Sequence, residues 1–303
     1  MRTRTDVPLA PLTTLRIGGP AARMVELERE EDVPEAIRDA SAPGGSLFVL
    51  GEGSNVVVGD EGFSGLVARM CIRGVQVRAG GDRVVVDVGA GESWDGLVAR
   101  AVEEGWRGVA SMSGIPGLVG ATPIQNVGAY GEEVSDTIVG VRAFDREAGA
   151  FVELAPSACG FGYRASVFKG LSRWIVTRVR FAFERGEETV VRYGELARAL
   201  SLSEGAVAPS RVVRETVIEL RRAKGMVLRD DDPDSVSAGS FFVNPVVDAG
   251  RLAVIEASAG ERPPRFDAGG GRWKVPAAWL VERAGFSKGW GTGRAGVSRK
   301  HAL

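Results

Sequence analysis

Histidine occurs once in this chain, at His301, and cysteine twice, at Cys71 and Cys159. Two cysteines cannot build a disulfide framework, and neither has a second cysteine or a histidine nearby in sequence, so both read as buried small hydrophobes and no metal site is expected. No apolar run approaches the roughly 20 residues that span a bilayer. The opening MRTRTDVPLAP holds no apolar stretch of the signal-peptide kind, which leads us to expect a cytoplasmic protein. Lys and Arg number 38 against 39 Asp and Glu, mixed along the chain without a basic block, so nucleic acid is not an expected partner. Two nucleotide fingerprints are also missing. No G-x-x-x-x-G-K-[ST] run is present, which removes a P-loop nucleotidase. In G-x-G-x-x-G terms, the turn at Gly51-Glu52-Gly53 has Val56 in the last glycine position, and the turn at Gly89-Ala90-Gly91 has Trp94 there. A dinucleotide-binding βαβ unit is therefore not expected.

Glycine, by contrast, is abundant, and its densest stretch runs from Gly114 to Gly131, GIPGLVGATPIQNVGAYG, with five glycines and two prolines. Glycine admits positive φ and close approach of the backbone to a ligand, and successive N–H groups can form a concave anion site. A plain surface loop has no use for Ile115, Leu118, Val119, Ile124 and Val127, which favour burial. The segment thus reads as backbone wrapped around a phosphorylated cofactor. A second turn of this type, Gly51 to Asn55, follows the apolar run Leu47–Leu50 and precedes the β-branched run Val56–Val58, a strand-turn-strand pattern.

At 303 residues the chain is long enough for two or three domains. The pattern predicts strands near Ala22–Leu27, Val75–Ala79, Val84–Val88 and Ile138–Phe144, and helices over about Glu31–Ala40 and from the cap Ser93 to the stop Gly105. The run Ile175–Phe183 alternates as a half-buried antiparallel strand, with Ile175, Thr177, Val179, Phe181 and Phe183 on one face. Ser210 is placed to cap a helix that ends at Gly225. The acidic triplet Asp230-Asp231-Asp232 reads as a solvated turn. Beyond it lie an expected strand at Ser240–Val243, in which Phe241 and Phe242 would bury the neighbourhood, a helix over about Asp248–Ser258, a glycine turn at 269–271 and a helix over Ala277–Ala284.

Four motifs, LGEGSN, GIPGLVGATPIQNVGAYG, FGYRASVFK and AGSFFVNP, stand in an order and at a spacing that resemble the UDP-N-acetylenolpyruvoylglucosamine reductases, FAD enzymes of bacterial peptidoglycan precursor synthesis. The resemblance runs from Leu12-Thr13-Thr14 to Lys300-His301. The PIQN wording and Tyr193-Gly194-Glu195 are similar to the branch that retains a substrate-closing tyrosine loop. What it implies is an α+β fold: a two-part FAD-binding domain of the vanillyl-alcohol-oxidase/p-cresol-methylhydroxylase type, over 1–70 and 71–222, plus a smaller α+β substrate-binding domain over 223–303. FAD would be held by Gly51, Glu52, Gly53, Ser54 and Asn55, and by Gly114, Ile115, Pro116, Gly117, Gly120, Ala121, Thr122, Gln125, Asn126, Gly128 and Ala129. Related FAD domains that bond the flavin covalently commonly use a histidine in the first glycine turn. That turn has Ser54 after Gly53, and the single histidine is remote in sequence, so a non-covalent flavin is expected.

The resemblance also assigns roles. Ser240 would protonate the carbon beside the substrate carboxylate, although by residue type alone a hydroxyl there can equally bond its own backbone. Arg164, otherwise a surface arginine at a strand end, would stabilise the enolate charge through its planar fork. Tyr193 and Lys224 would hold the substrate diphosphate, Asn244 would add an amide contact, and Tyr130 would line the site. NADPH is the expected reductant and a monomer the expected state. Two departures from the pattern stand out. Val243 occupies a place where some members carry lysine. The family's second catalytic carboxylate lies beyond the lysine-histidine pair, whereas the last residue here is Leu303, so slower turnover is expected, and Glu282 is not assigned that role. The alternatives are a related FAD oxidoreductase of a small alcohol or sugar, and a flavin-binding module without turnover.

Overall fold

The computed structural model describes residues 1–41 and 45–302. Ala42, Pro43 and Gly44 lie outside the described residues, as does Leu303, on which the chain-end expectation falls. Two compact units form, Met1–Arg221 and Arg222–Leu303. Among the described residues no helix is long and apolar enough to cross a membrane.

The first unit opens with β1 (Arg4–Pro8), β2 (Pro20–Leu27), α1 (Asp32–Ala40), β3 (Leu47–Leu50) and β4 (Phe63–Met70). These build a four-stranded sheet in the order β1-β2-β4-β3, with β4 parallel to both its neighbours. The expected strand at Val56–Val58 does not form. Val56 and Val58 are partly buried and pack on the cluster of Leu9, Met24, Leu50 and Val67, but no strand pairs with them. Between this run and β4 the chain passes Gly19 and Pro20 at backbone contact: the Gly19 N–H donates to the Gly59 carbonyl, and a Cβ on Gly62 would lie 1.9 Å from the Pro20 carbonyl oxygen. The strand begins only after that crossing, at Phe63.

The second sheet follows from β5 (Val75–Gly80), β6 (Arg83–Gly89), α2 (Trp94–Glu103), β7 (Trp106–Arg107), a small hairpin of β8 (Gly128–Ala129) and β9 (Glu132–Glu133), then β10 (Ile138–Asp145), β11 (Ala150–Leu154) and β12 (Trp174–Arg185). Its order is β11-β10-β12-β6-β5, entirely antiparallel. Helix α2 starts as its residues dictate: the Ser93 hydroxyl accepts from the Gly96 N–H, satisfying one of the orphan donors of the first turn, and Gly105 follows the helix at φ +67°. The core under this sheet carries an aromatic row, with Trp106 stacked on Phe183 at 5.7 Å and Phe183 on Phe181 at 5.6 Å. Each such buried ring contributes about 1.5–3 kcal/mol by leaving water.

Strand β12 departs from simple alternation. The register steps from Arg142 opposite Arg178 to Ala143 opposite Val176, which leaves Thr177 as a bulge. The extra residue turns the strand over. Val176, Val179, Phe181 and Phe183 join the core beneath the second sheet, whereas Ile175 joins Phe144 and residues of α1, β2 and β4 in a core at the junction of the two sheets. The expected common face for Ile175 and Val179 is thereby corrected.

The unit closes with β13 (Glu188–Val190), α3 (Gly194–Ala199), β14 (Val207–Pro209) and α4 (Ser210–Ala223), packed through Val191, Leu196, Ala208, Val213 and Val217. Ser210 begins α4, but its hydroxyl pairs with that of Thr189 at 2.8 Å, not with an N–H of its own first turn. The second unit holds β15 (Val246–Val247), α5 (Ala249–Ala259), β16 (Phe266–Asp267), β17 (Trp273–Lys274) and α6 (Ala277–Arg283). Its three short strands pair as β15-β17-β16. Ser240–Val243 is not a strand. Gly239 at φ +75° bends the chain there, and Phe241 and Phe242 are exposed at 68% and 60%, so the two rings do not bury the serine's surroundings as expected.

Candidate active site

The two glycine turns, 60 or so residues apart in sequence, meet in the first unit. The Glu52 carboxylate accepts from the Gly117 N–H at 2.6 Å, a Cβ on Gly117 would lie 3.3 Å from the Ser54 hydroxyl, and one on Gly51 would touch Leu118. Gly53, at φ +71°, has its backbone against Leu12 and Thr13, where a Cβ would come within 2.1 Å of the Leu12 carbonyl oxygen. Among the described residues, no protein acceptor takes the backbone N–H groups of Gly53, Ser54 and Asn55. Three successive open donors make the kind of cradle that an anion such as a nucleotide diphosphate fills. The residues present fit that group.

The longer segment is built differently. Gly114 donates to Asp95, Gly117 to Glu52, Val119 to the Glu92 carbonyl and Gly120 to the Ala90 carbonyl, while Ala121 and Thr122 close a 3₁₀ turn. Gly120 is glycine because Ala90 is in the way, with 2.5 Å between their Cβ positions were one added. The Thr122 hydroxyl donates to the Val119 carbonyl, and Asn126, fully buried, uses its amide on Glu133, Gly162 and Ser135. Thr122 and Asn126 therefore shape the segment. Ile115, Pro116, Gln125, Gly128 and Ala129 remain partly or wholly exposed along it.

Arg164 sits at a turn closed by the Gly162–Ala165 bridge, in the left-handed region at φ +52°. Its guanidinium donates to the Asn126 carbonyl at 3.1 Å and to the Gly128 carbonyl, and it lies over the Tyr163 ring. Two of the five N–H donors thus hold the glycine segment, leaving the positive charge and three donors beside it. Asn126 and Tyr130 also have positive φ, 44° and 49°. Three of the six non-glycine residues with positive φ among the described residues fall here, and each such position costs about 1–3 kcal/mol that the surrounding structure must offset.

All three tyrosines of the chain gather at this place. Tyr130 and Tyr193 pack edge to face at 5.6 Å, and Tyr163 is near enough to Tyr193 to affect its charge. Burial pushes the Tyr130 phenol up to about 12, Glu195 adds to this and Arg221 opposes it. Both Tyr130 and Tyr193 are raised, so both stay neutral hydroxyls across the physiological range. Arg221, half-buried, has its own pKa lowered by burial against the pull of Tyr130 and Asp95. Sequence reasoning missed Asp95, Arg214 and Arg221; the helical spacing of Arg214 and Arg221 was the available signal. The tyrosine gathering had no sequence signal beyond the rarity of the residue.

In the second unit, Ser240 is exposed in the bend after Gly239. Asn244 turns its oxygen to the Ala277 N–H at 2.8 Å, capping the start of α6, which leaves its NH₂ for any other contact. Lys224 directly follows α4. Within the acidic turn, Asp231 pairs with Arg229 and Asp232 with Lys300.

Comparison with known proteins accords with this arrangement. An FAD binding domain family matches residues 21–155, and the C-terminal domain family of UDP-N-acetylenolpyruvoylglucosamine reductase matches residues 232–303. The UDP-N-acetylenolpyruvoylglucosamine reductase of Thermobifida fusca is 48% identical over 306 residues, spanning 98% of this chain and 86% of that protein. That of Streptomyces coelicolor is 47% identical over 307 residues, spanning 98% and 79%. A crystal structure of UDP-N-acetylenolpyruvylglucosamine reductase from Thermus caldophilus superposes with a TM-score of 0.67 at 28% identity, covering 100% of this chain and 86% of that one. The α+β architecture, the paired glycine turns and these relatives lead to one conclusion: the chain belongs to the UDP-N-acetylenolpyruvoylglucosamine reductase family and is an FAD-dependent oxidoreductase.

Proposed function

We propose that the chain reduces UDP-N-acetylglucosamine enolpyruvate to UDP-N-acetylmuramate at the expense of NADPH, in the cytoplasm, as a step of peptidoglycan precursor synthesis. The observation that carries this reading is the closure of the two glycine turns through Glu52 and Gly117 beside Arg164 and the three tyrosines. The open N–H groups of Gly53, Ser54 and Asn55 would hold the FAD diphosphate, and the exposed backbone of Gly114–Ala129 would line the rest of the cofactor. When bound, FAD supplies a two-electron relay between a nicotinamide and the substrate double bond. With no histidine in either glycine turn, the flavin is held without a covalent bond.

Arg164 places its guanidinium where negative charge grows on the substrate carboxylate side, and its two carbonyl contacts fix it in place beforehand, so little reorganisation is needed during reaction. Ser240 donates its hydroxyl proton to the carbon next to that carboxylate. A serine is a weak acid, and a growing carbanion with aligned neighbours is what makes the transfer feasible. Tyr130 and Tyr193, held neutral, offer hydroxyl donors to the sugar nucleotide, with Lys224 and the NH₂ of Asn244 as further contacts.

The test is NADPH oxidation followed at 340 nm by the FAD-loaded protein, with and without the enolpyruvyl sugar nucleotide, together with acid precipitation of the yellow protein. Oxidation that requires the sugar nucleotide, and FAD recovered in the supernatant, are expected. Equal oxidation without it would show that the electrons pass to dioxygen and not to the sugar nucleotide, overturning the reading, and flavin retained in the pellet would overturn non-covalent binding.

A further inference from the structure

Asp95 stands where three elements of the first unit meet. It lies in the first turn of α2, beside the fully buried Trp94, whose N–H donates to the Gly117 carbonyl. Asp95 Oδ1 accepts from the Gly114 N–H at 2.6 Å, at the residue that opens the long glycine segment with φ +70°. The same carboxylate receives the Arg214 guanidinium in a two-point pair, Nη1 to Oδ1 at 2.7 Å and Nη2 to Oδ2 at 2.9 Å. Arg214 is on α4, with only 18% of its side chain exposed. Seven residues on, and therefore on the same face of that helix, is Arg221, which senses both Tyr130 and Asp95. One carboxylate thus ties the first residue of the flavin-lining segment to α4, whose Val213 and Val217 belong to the cluster on which Tyr130 packs.

We infer that Asp95 is a positioning residue that couples the two halves of the site, setting the Gly114 end of the flavin cradle through one oxygen and the α4 side of the sugar-nucleotide site through Arg214. The inference rests on the reading that Tyr130 and Tyr193 line the substrate site. Several features argue for coupling over a plain surface pair. A surface ion pair contributes about 0–1 kcal/mol and fixes little. This one is two-pronged and partly buried, and it shares its carboxylate with a backbone N–H in a left-handed turn. Burial alone would raise the Asp95 carboxyl, yet Arg214 and the Gly114 N–H outweigh it and hold the group below the usual range, so the charge is present whenever the enzyme works.

Two substitutions separate the two contacts. Asp95→Asn keeps an oxygen for Gly114 but loses the ionic fork to Arg214, whereas Asp95→Ala loses both. Arg214→Met removes the guanidinium and keeps the stem. In FAD-loaded protein, UDP-N-acetylglucosamine binding is read by calorimetry and KM and kcat from NADPH oxidation; FAD affinity is read by flavin fluorescence on the apoprotein. Asp95→Asn and Arg214→Met are each expected to weaken sugar-nucleotide binding by roughly tenfold, the scale of one charge-assisted contact, with FAD affinity within about threefold of the parent. The double variant Asp95→Asn/Arg214→Met should be no weaker than either single one, since both act through the same pair. Asp95→Ala should in addition weaken FAD by roughly tenfold.

Variants that melt earlier but keep sugar-nucleotide affinity within twofold, or whose effects add, would overturn the inference by reducing the pair to a structural tie. If the parent binds UDP-N-acetylglucosamine but does not reduce its enolpyruvyl ether, the proposed reaction falls, while the binding measurements still decide the role of Asp95. If the parent binds no UDP sugar, both readings fall together.

Discussion

The first glycine turn and the second glycine segment share a composition but use it in opposite ways. In Gly51–Asn55 the glycine serves the far side: Gly53 lets the chain lie against Leu12 and Thr13, and the donors that follow remain open. In Gly114–Gly131 most N–H groups are already bonded to the protein, and glycines are present because neighbours such as Ala90 leave no room. One turn receives an anion; the other is a prefolded wall. Glycine density alone therefore says where backbone runs close to something, and only the hydrogen bonds say whether that something is ligand or protein.

The sharpest break of this contrast is Gly53→Ala. Its Cβ would overlap a backbone oxygen in a residue held at positive φ, so stability should fall by about 3 kcal/mol or more and FAD retention with it, measured by thermal melts of apo and loaded protein. Alanine there that left both unchanged would show that the turn is not held against Leu12. Gly120→Ala should cost about 1–3 kcal/mol by overpacking, and Ala90→Gly in the same chain should restore part of it, because the tightest contact, 2.5 Å, is with the Ala90 methyl while its backbone stays 3.0–3.2 Å away. Failure of that rescue would assign the crowding to the Ala90 backbone and not to its methyl group. Glu52→Ala should loosen FAD by about fivefold through loss of the part-buried Gly117 clasp, whereas Glu52→Gln, which keeps an acceptor, should stay within about twofold. Identical behaviour of the two variants would assign Glu52 to charge, not to the clasp. The smallest effect is in the titration of Tyr130. With the folded phenol near 12 and an unfolded one near 10, the folded state retains a proton that the unfolded state loses, so stability is fully present below pH 10 and falls as pH rises toward 12. Tyr130→Phe should flatten part of that decline, and ultraviolet titration of the parent should show a late-ionising phenol.

Local signals were legible where a residue and its partner are close in sequence. Ser93 caps α2 as its position predicts, and Gly105 and Gly225 follow their helices with positive φ. The two glycine turns were recognisable separately, and the four motifs carried the family. What stayed hidden depends on distant partners. The bulge at Thr177 is defined by the register against β10, and nothing in the alternation of Ile175–Phe183 announces it. Val56–Val58 has the composition of a strand but no neighbour to pair with. The bond between Asp95 and Arg214 joins residues 119 apart in the chain. The exposure of Phe241 and Phe242 reversed the expectation from hydrophobicity, since composition alone cannot say which rings a bend at Gly239 turns outward.

Thr177 has a wider meaning than a local irregularity. Its hydroxyl donates to Glu30 at 2.8 Å, and Glu30 also receives Arg142 of the neighbouring strand at 2.8 and 2.9 Å, which fastens the entrance of α1 to the second sheet at the bulge. A single continuous strand consequently serves as a common axle, with one end turning in the junction core and the other in the core of the second sheet. The Ala90 N–H donates to the Thr177 carbonyl at the bulge and the Gly120 N–H to the Ala90 carbonyl, so the long glycine segment hangs from the same residue that Glu30 ties to α1. A slip of one residue along β12 would therefore move the anchor of the long segment as surely as it would disturb the cores.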